Sequence, residues 1–159
     1  MTMKTSPLLL LLAALPLAGI GNALAAAPTG NLEISAIVTQ QCSVQSAALP
    51  FGVYGSSALQ QNAQIGVTCS NGTSYTVGLD QGAAGSANRR MASADGASWI
   101  DYGLYQDAAR TTAWNTGSAA VAGVGTGNTQ NFPVYGYVPA GQSPRAGAYS
   151  DVVSITLSY

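Results

Sequence analysis

Hydrophobic and polar positions alternate along most of this chain after residue 25. The last nine residues show the pattern best, because one face of this segment is apolar and the other is mostly polar. A period of two residues is typical of a β-strand with one buried face. No window after residue 25 keeps a period of 3.6 residues, so the pattern predicts an all-β fold. The predicted strands are Leu32–Val38, Ile65–Ser70, Tyr75–Leu79, Trp99–Tyr105, Asn131–Val138 and Val152–Tyr159.

Turn-forming residues separate the predicted strands. Asn71-Gly72, Asp95-Gly96 and Pro139-Ala-Gly141 lie between them. Short strands bounded by Gly, Asn and Asp are typical of a β-sandwich or a barrel. Because no linker and no repeat of fixed period interrupts residues 26–159, this part of the chain is predicted to form one domain.

The strand predicted at the end of the sequence has an apolar face formed by Val153, Ile155, Leu157 and Tyr159. No turn or polar tail follows it in the sequence. A strand with an unpaired edge exposes a row of main-chain N–H and C=O groups and promotes aggregation. We therefore expect another molecule to cover this edge.

The segment Leu32–Val38 alternates in the same way, and two interpretations of it are open. It is the first strand of the chain's own sheet, or it is a mobile arm that pairs with another molecule. Small residues precede it, and Thr39-Gln-Gln41 joins it to a cysteine. Both interpretations fit the alternation.

The first residues show the three parts of a secretory signal peptide. Lys4 supplies the positive charge, Leu8–Leu17 is the apolar run, and Ala23–Ala25 is the small-residue cleavage site. We expect residues 1–25 to be removed as a signal peptide. Because the uninterrupted apolar stretch is short, the sequence predicts no transmembrane segment in the mature chain.

Charged residues are scarce, and their types exclude several classes of function. The chain has no histidine, and its single lysine, Lys4, lies in the predicted signal. It therefore lacks the basic face that nucleic-acid binding needs and the His- or Lys-dependent catalytic sets. Most of its acids are predicted to cap turns rather than to form a catalytic carboxylate pair. We predict no enzyme activity, no catalytic residues and no cofactor. The acids are Glu33, Asp80, Asp95, Asp101, Asp107 and Asp151.

The two cysteines, Cys42 and Cys69, predict a disulfide, since an even number of cysteines in an exported chain usually forms one. Closing this loop would stabilise the fold by about 3–4 kcal/mol on the chain-entropy model. Two buried free thiols are the alternative. We predict no metal site, because two cysteines without histidine do not complete a tetrahedral zinc set.

Three further motifs are interpreted as structural. Gly123–Gly127 is rich in glycine like a phosphate loop, but no lysine follows, so we predict a flexible loop between strands. Asn71-Gly72 predicts a hairpin turn. Arg89-Arg90 predicts a solvated loop or a local ion pair, and Trp99 and Trp114 are predicted to pack within the fold rather than to bind sugars.

Several motifs occur in an order that one known family shares. They are Cys42–Val44, Leu49–Tyr54, Val67–Gly72, Tyr75–Leu79, Arg90-Met91, Tyr102–Asp107, Trp114, Pro133–Gly136, Pro139 and Gly147–Tyr159. With these motifs the chain resembles the spore coat protein U domain family, which includes pilin subunits of the archaic chaperone–usher pathway. Each motif is weak alone, and together they cover nearly the whole mature chain. The stretch between Cys42 and Cys69 is short for the family, which should affect one loop.

The resemblance implies an incomplete immunoglobulin-like sandwich that lacks its final strand and is completed by a donor strand from a partner. It divides the chain into a signal peptide (1–25), an N-terminal donor-strand arm (26–41) and a spore coat U or pilin domain (42–159). The implied donor face is Leu32, Ile34, Ala36 and Val38. The implied edge strand, with which a chaperone pairs, carries Val153, Ile155, Leu157 and Tyr159.

The implied function is that of a structural subunit of a chaperone–usher surface pilus, which polymerises by donor-strand exchange and serves adhesion and biofilm formation. The implied partners are a periplasmic pilus chaperone, an outer-membrane usher and neighbouring pilin subunits, in a homo- or hetero-polymer, with no nucleic acid. The subunit would be exported to the periplasm and then to the cell surface. The alternatives are a secreted coat or carbohydrate-binding module, or a small outer-membrane β-barrel, whose strands also alternate.

Overall fold

The structure, a computed structural model, describes residues 27–45, 47–84 and 88–159. The chain divides into two units. The first ends at Ala36, and its described residues, 27–36, are exposed and lie in no strand. The second, Ile37–Tyr159, contains the strands. The predicted signal peptide, residues 1–25, falls outside the described residues.

The described part of the second unit is built from ten β-strands and one turn of 3₁₀-helix, Gly117–Ala119. The strands are short, apart from two of ten or more residues that run through the middle of the fold. They are β1 (Cys42–Val44), β2 (Leu59–Cys69), β3 (Ser74–Leu79), β4 (Arg90–Ser93), β5 (Trp99–Asp101), β6 (Gly103–Tyr105), β7 (Val121–Val124), β8 (Thr129–Val138), β9 (Tyr149–Ser150) and β10 (Ile155–Ser158).

The strands form three antiparallel sheets. The first has the order β1-β2-β8-β6, the second β10-β3-β7 and the third β5-β4-β9. The longest pairing joins β2 to β8, from Leu59 opposite Val138 to Thr68 opposite Thr129. Apolar side chains from all three sheets meet in one core. The predicted all-β sandwich is confirmed.

The core is densely packed at the end of the sandwich where Thr68 pairs with Thr129. Three side chains at this end, Val67, Cys69 and Tyr75, are at most 3% exposed. The ring of Tyr75 meets Phe132 edge to face. We call this end the closed half. It contains Val67, Cys69, Tyr75, Val77 and Phe132.

Trp114 extends the packed core beside Leu104. It is 1% exposed, and its main-chain N–H donates to the carbonyl of Leu104 at 2.9 Å. Its indole Nε1–H donates a hydrogen bond of 2.9 Å to the carbonyl of Val77.

Strand β7 corrects part of the prediction of a flexible loop at Gly123–Gly127, because Gly123 and Val124 lie within β7, while the residues after them join β7 to β8. Gly123 is opposite Tyr75, and a Cβ there would stand 2.5 Å from the tyrosine ring. A Cβ at Gly125 would overlap the carbonyl oxygen of Ser70. Both glycines therefore let the backbone approach its neighbours closely in the closed half.

The turn at Asn71-Gly72 is present, but it is not the predicted hairpin. The N–H of Thr73 donates to the carbonyl of Ser70 at 3.1 Å, and Gly72 has a φ of 79°. This turn joins β2 in the first sheet to β3 in the second. An Asn-Gly turn usually joins neighbouring strands of one sheet, but this turn carries the chain from one sheet to another.

Four predicted strands differ in the structure. The strand predicted at Ile65–Ser70 begins at Leu59, and the strand predicted at Val152–Tyr159 is shortened to Ile155–Ser158. Trp99–Tyr105 is divided at Tyr102 into β5 and β6, which belong to different sheets. Leu32–Val38 lies in no strand, so the interpretation as a first strand of the chain's own sheet is wrong for this structure. Four strands of two to four residues, β1, β4, β7 and β9, were not predicted, because so short a segment shows too little alternation.

Arg89 corrects another prediction, because it is buried rather than solvated. It is 4% exposed, and its guanidinium donates hydrogen bonds to the carbonyls of Leu79, Asp80 and Trp114 at 2.9, 2.7 and 2.7 Å. Burial lowers the pKa of Arg89, and the negative charge of Asp80 is among the effects that oppose the shift. Arg89 therefore satisfies three buried carbonyls where the second sheet meets the loop that holds Trp114.

The predicted disulfide is confirmed. Cys42 in β1 and Cys69 in β2 are directly opposite each other and are bonded at an S–S distance of 2.01 Å. The bond ties the short strand β1 to the longest strand of the first sheet. It closes a loop with a sequence separation of 27 residues.

Candidate functional site: an open groove in the sandwich

A groove of about 1110 Å³ opens between the sheets at the end of the sandwich where Leu59 pairs with Val138. Native protein interiors contain few voids larger than a water molecule, so this space is not an ordinary packing defect. We call this end the open half. The floor of the groove is apolar and includes Leu59, Ala63, Ile65, Leu79, Val134 and Val138. Two chain segments border it, the first wall (Ala47–Tyr54) and the second wall (Pro144–Ile155).

The first wall is held by its apolar side chains and by one tyrosine hydroxyl. Leu49 and Phe51 cover Gly136 of β8 so closely that a Cβ at this glycine would stand 2.8 Å from both side chains. The hydroxyl of Tyr54 donates to the carbonyl of Pro139 and accepts the N–H of Gln142, each at 2.9 Å. The first wall lies in no strand, so its main chain borders the groove without β-sheet hydrogen bonds to a neighbouring strand.

The second wall changes its strand partner along its length. It begins in a loop, pairs as β9 with β4, and pairs as β10 with β3 from Ile155 onward. Val153, Ile155 and Leu157 are half-buried and pack against the core, while Val152, Ser154 and Thr156 are exposed. Tyr159 is 60% exposed and lies outside β10, so the apolar face predicted from the sequence is buried only as far as Leu157.

The register of β10 shows which main-chain groups remain open. The N–H of Asp80 donates to the carbonyl of Ser154, so Ser154, Thr156 and Ser158 are the residues that bond to β3. The N–H and C=O groups of the alternating residues, Val153, Ile155 and Leu157, point to the other side of the strand. No strand among the described residues pairs with β10 on that side.

Strand β1 offers a second open edge. Gln45 donates its N–H to Gly66, and the N–H of Ser70 donates to Gln41, so the main-chain groups of Cys42 and Val44 point away from β2. Cα atoms of β1 and β10 approach within 8 Å. Two strands that flank a third need a separation of about 9.5 Å. The space for an added strand is therefore between the two walls, and it closes where β1 meets β10.

The groove contains one polar contact at its floor. The hydroxyl of Tyr102 donates to Oδ2 of Asp151 at 2.6 Å. Burial, and then the hydrogen bond to Asp151, raise the pKa of Tyr102, so the phenol stays neutral. Two other hydroxyl–carboxylate contacts among the described residues, Ser93 with Asp95 and Thr111 with Asp107, are exposed and lie outside the groove. No group of three or more acidic or cysteine side chains in the described part of the chain is arranged to hold a metal ion.

The predicted donor residues are exposed in this structure. Leu32 and Ile34 are each 85% exposed, Val38 is 90% exposed, and Ala36 is also exposed. Large apolar side chains at such exposure, repeated every second residue, are unusual in a soluble chain and mark interaction segments. The sequence indicated this segment and β10, but it did not indicate the first wall, whose Leu49-Pro-Phe51 motif only the folded chain aligns with the groove.

The acids take the structural roles predicted for turn residues. Asp95 accepts the N–H of Ala97, and Asp107 accepts the N–H groups of Thr111 and Thr112. Asp80 accepts the N–H groups of Gly82 and Ser154. Each carboxylate satisfies main-chain donors of a turn or of the second wall, so these groups are occupied by the fold itself.

Comparison with known proteins agrees with this geometry. The profile of the spore coat protein U domain matches residues 28–156. Protein U of Myxococcus xanthus is 35% identical over 167 aligned positions, which cover 92% of this chain and 93% of that protein. The profile match runs from the exposed N-terminal segment through both walls to the first half of β10.

A solved structure shares the fold. It is the CsuC-CsuE chaperone-tip adhesion subunit pre-assembly complex from archaic chaperone-usher Csu pili of Acinetobacter baumannii, with a TM-score of 0.59 and 23% identity. The alignment covers 77% of this chain and 40% of the matched chain, so the present chain spans less than half of that relative. Among the described residues no helix is long and apolar enough to cross a membrane.

Proposed function

The chain belongs to the spore coat protein U domain family, and we propose that it is a structural subunit that assembles by donor-strand exchange in a chaperone–usher surface pilus. The observation that carries this proposal is the apolar groove between two walls with unpaired main chain. An added strand would bond to the walls and place alternate side chains on the floor, which is the β-augmentation mode of recognition.

The arm, residues 26–41, has the length and pattern of a strand that fits this groove. Its apolar face from Leu32 to Val38 spans about 20 Å, given a rise of about 3.3 Å per residue. The part of the second wall that borders the groove from Tyr149 to Ile155 has the same number of residues and the same approximate length. A neighbouring copy could therefore supply a strand that reaches along the whole groove.

Burial of the donor face would supply the energy for assembly. Leu32, Ile34 and Val38 are almost fully exposed in the free chain. Removing these side chains and Ala36 from water would contribute about 5–8 kcal/mol. Main-chain hydrogen bonds to Val153 and Ile155 would add to this and would set the register of the donor.

The same groove explains the proposed partners. Before assembly, its apolar floor would promote aggregation unless a partner covered it. We propose that a periplasmic chaperone covers it first and that the arm of a neighbouring subunit replaces the chaperone at an outer-membrane usher. The structural relative was solved as a chaperone–subunit pre-assembly complex, which supports a chaperone partner.

On this proposal the protein acts by binding and not by catalysis. It would pass through the periplasm to the cell surface, where the polymer would serve adhesion and biofilm formation. The division into a signal peptide (1–25), an arm (26–41) and a domain (42–159) follows from the same proposal. The donor residues would be Leu32, Ile34, Ala36 and Val38, and the chaperone would pair with the strand that carries Val153, Ile155, Leu157 and Tyr159.

Deleting residues 26–38 tests the donor role of the arm. We expect the truncated subunit to be captured by its chaperone, because the groove is intact, but to form no polymer with copies of itself. The measurement is co-purification from the periplasm together with electron microscopy of surface fibres. Ile34→Asp should act like the deletion, whereas Ser35→Asp, on the polar face of the same segment, should assemble. Normal fibres from the deletion would refute the donor role.

Ile155→Asp tests the acceptor edge. Ile155 packs against the core and lines the groove, so a carboxylate there would be buried against an incoming strand. We expect loss of the chaperone complex from the periplasm. Thr156→Asp is the matched control, because Thr156 is exposed on the opposite face of the same strand. Wild-type recovery of the complex with Ile155→Asp would contradict the proposed edge.

A secreted coat is the second candidate, since the family takes its description from a spore coat protein and Protein U is matched over nearly its full length. Subunits joined by the same strand exchange could cover a surface instead of forming a fibre. Imaging of the assembled product decides between them, because a pilus extends away from the cell and a coat does not.

A further inference from the structure

Two carboxylates hold the part of the second wall that lies between β9 and β10. Oδ1 of Asp151 accepts the N–H groups of Val152 and Ala83, both at 2.8 Å. Oδ1 of Asp80 accepts the N–H of Ser154 at 2.9 Å. Asp151–Ser154 belongs to no strand, so side chains replace the ladder that would otherwise fix it.

The carboxylate of Asp151 is enclosed on two further sides. Its Oδ2 accepts the hydroxyl of Tyr102 at 2.6 Å, from the floor of the groove. Gly82 lies against it with a φ of 83°, and a Cβ on this glycine would overlap Oδ2. We call the set of Tyr102, Gly82, Ala83 and Asp151 the latch.

The latch and Asp80 together determine which way the main chain of the second wall faces. The N–H groups of Val152 and Ser154 are directed to the carboxylates of Asp151 and Asp80. In an extended chain the main-chain groups of the residue between them point to the opposite side. Val153 therefore continues the row of open groups formed by Ile155 and Leu157.

Loss of the Asp151 carboxylate would leave the N–H groups of Val152 and Ala83 and the hydroxyl of the buried Tyr102 without their acceptor. A buried polar group without a partner costs about 1–3 kcal/mol, so Tyr102 and the segment would turn toward other partners. The first wall, which lies in no strand, borders the same groove. Contact between the walls would also bury the apolar floor, which the hydrophobic effect favours.

We propose that Asp151 is a positioning residue, held by Tyr102 and the Gly82-Ala83 turn, that keeps the two walls apart so that the groove stays open to an incoming strand. This inference rests on the proposed function for the identity of the strand. The claim that Asp151 keeps the groove open in the unassembled chain does not depend on that function.

The test uses the full mature chain with its disulfide intact and a synthetic peptide with the sequence of residues 27–41 as the probe. Gly82→Ala introduces backbone strain and a clash with Asp151. Gly72→Ala is the matched control, because Gly72 has a φ of 79° and no atom within 4 Å of an added Cβ. Both variants carry similar strain, and only one disturbs the latch.

We expect Gly82→Ala and Asp151→Ala to slow association of the peptide about tenfold, the equivalent of one lost buried hydrogen bond. Tyr102→Phe should slow it less, because it removes one of the three hydrogen bonds to Asp151. Gly72→Ala should associate at the wild-type rate even if its urea midpoint falls. The proposed role of Asp151 would be overturned if both glycine variants slowed peptide association equally, or if Asp151→Ala left the association rate unchanged.

A second readout does not depend on the donor strand. A fluorescent dye that binds apolar surface should bind the wild type and Gly72→Ala equally, and Asp151→Ala and Gly82→Ala more weakly. If the wild type does not bind the peptide, the donor-strand proposal fails. Dye binding then still tests whether Asp151 keeps the groove open. Equal dye binding by all four proteins would overturn it.

Discussion

The closed and open halves of this sandwich are built on the same two long strands, and they differ in what completes them. At one end of β2 and β8, apolar side chains such as Val67 and Tyr75 fill the space between the sheets and are at most 3% exposed. At the other end the sheets border a groove of about 1110 Å³. The fold is therefore well packed in the closed half, and the unfilled space is confined to the groove.

Main-chain hydrogen bonding differs in the same way between the packed core and the border of the groove. In the core a buried arginine, Arg89, satisfies the carbonyls of Leu79, Asp80 and Trp114. In the open half the outward groups of Val153, Ile155 and Leu157 meet no strand. Because buried main-chain groups are nearly always paired, the first arrangement belongs to a finished core and the second to an interface.

Trp114→Ala should have the largest effect, because it would open a cavity in the packed core, whose residues contrast with those that line the groove. We expect a loss of about 3–5 kcal/mol in the free energy of unfolding. Urea unfolding followed by circular dichroism measures it. Trp99→Ala is the control, since Trp99 is 44% exposed and should cost much less. Equal losses would mean that the packed core around Trp114 is not a main source of stability.

Removal of the disulfide should follow in size. Cys42→Ser with Cys69→Ser would release β1 and lower the free energy of unfolding by about 3–4 kcal/mol on the chain-entropy model. The wild type in a reducing agent should unfold at the same urea midpoint as the double variant. A reduced wild type as stable as the oxidised form would show that the pairing of β1 with β2 does not need the bond.

A pair of matched truncations separates the halves directly. Val77 is fully buried in the closed half, and Val77→Ala should cost about 2 kcal/mol. Ile155 lines the groove, so Ile155→Ala should cost only about 1 kcal/mol in the free chain. Adding the peptide of residues 27–41 should raise the cost of Ile155→Ala and leave that of Val77→Ala unchanged. Urea titrations with and without the peptide measure both, and an unchanged Ile155→Ala cost would contradict a filled groove.

Asp107 should show the smallest effect, because it is an exposed turn residue. Hydrogen bonds from the main chain of Thr111, and then from Thr112, lower its pKa to about 2. The ionised form is favoured by folding, so its contribution is present above the ordinary carboxyl pKa of about 3.9 and disappears as the pH falls through 2. Carbon NMR titration of the folded chain should find a midpoint near 2, and Asp107→Asn should remove this part of the acid sensitivity.

The alternation of side chains was enough to predict the fold class and several strands. β3, β8 and the core of β2 have clear patterns, because their buried residues recur every second position. β9 has two residues and β7 contains a glycine needed for packing, so neither shows a readable period. Asn71-Gly72 predicted a turn correctly, but the turn residues do not determine whether the next strand joins the same sheet.

The features of the candidate site likewise divide into those that local sequence patterns predicted and those that they did not. The alternation of Leu32–Val38 and the half-buried face of β10 were predicted from their patterns, and the pairing of Cys42 with Cys69 followed from the number of cysteines. The first wall and the burial of Arg89 were not predicted, because each depends on segments distant in sequence. Arg89 lies ten residues from Leu79 and 25 from Trp114, and only the fold brings their carbonyls to its guanidinium.

By itself the sequence determined an all-β chain with one disulfide, little charge and two alternating segments, because side-chain period and composition are local properties. Tertiary structure alone decided that the space between the sheets remains open at one end and that Asp151 holds its border. Those features depend on which main-chain groups find partners across the fold. That is a property of long-range packing, which no single segment of the chain specifies.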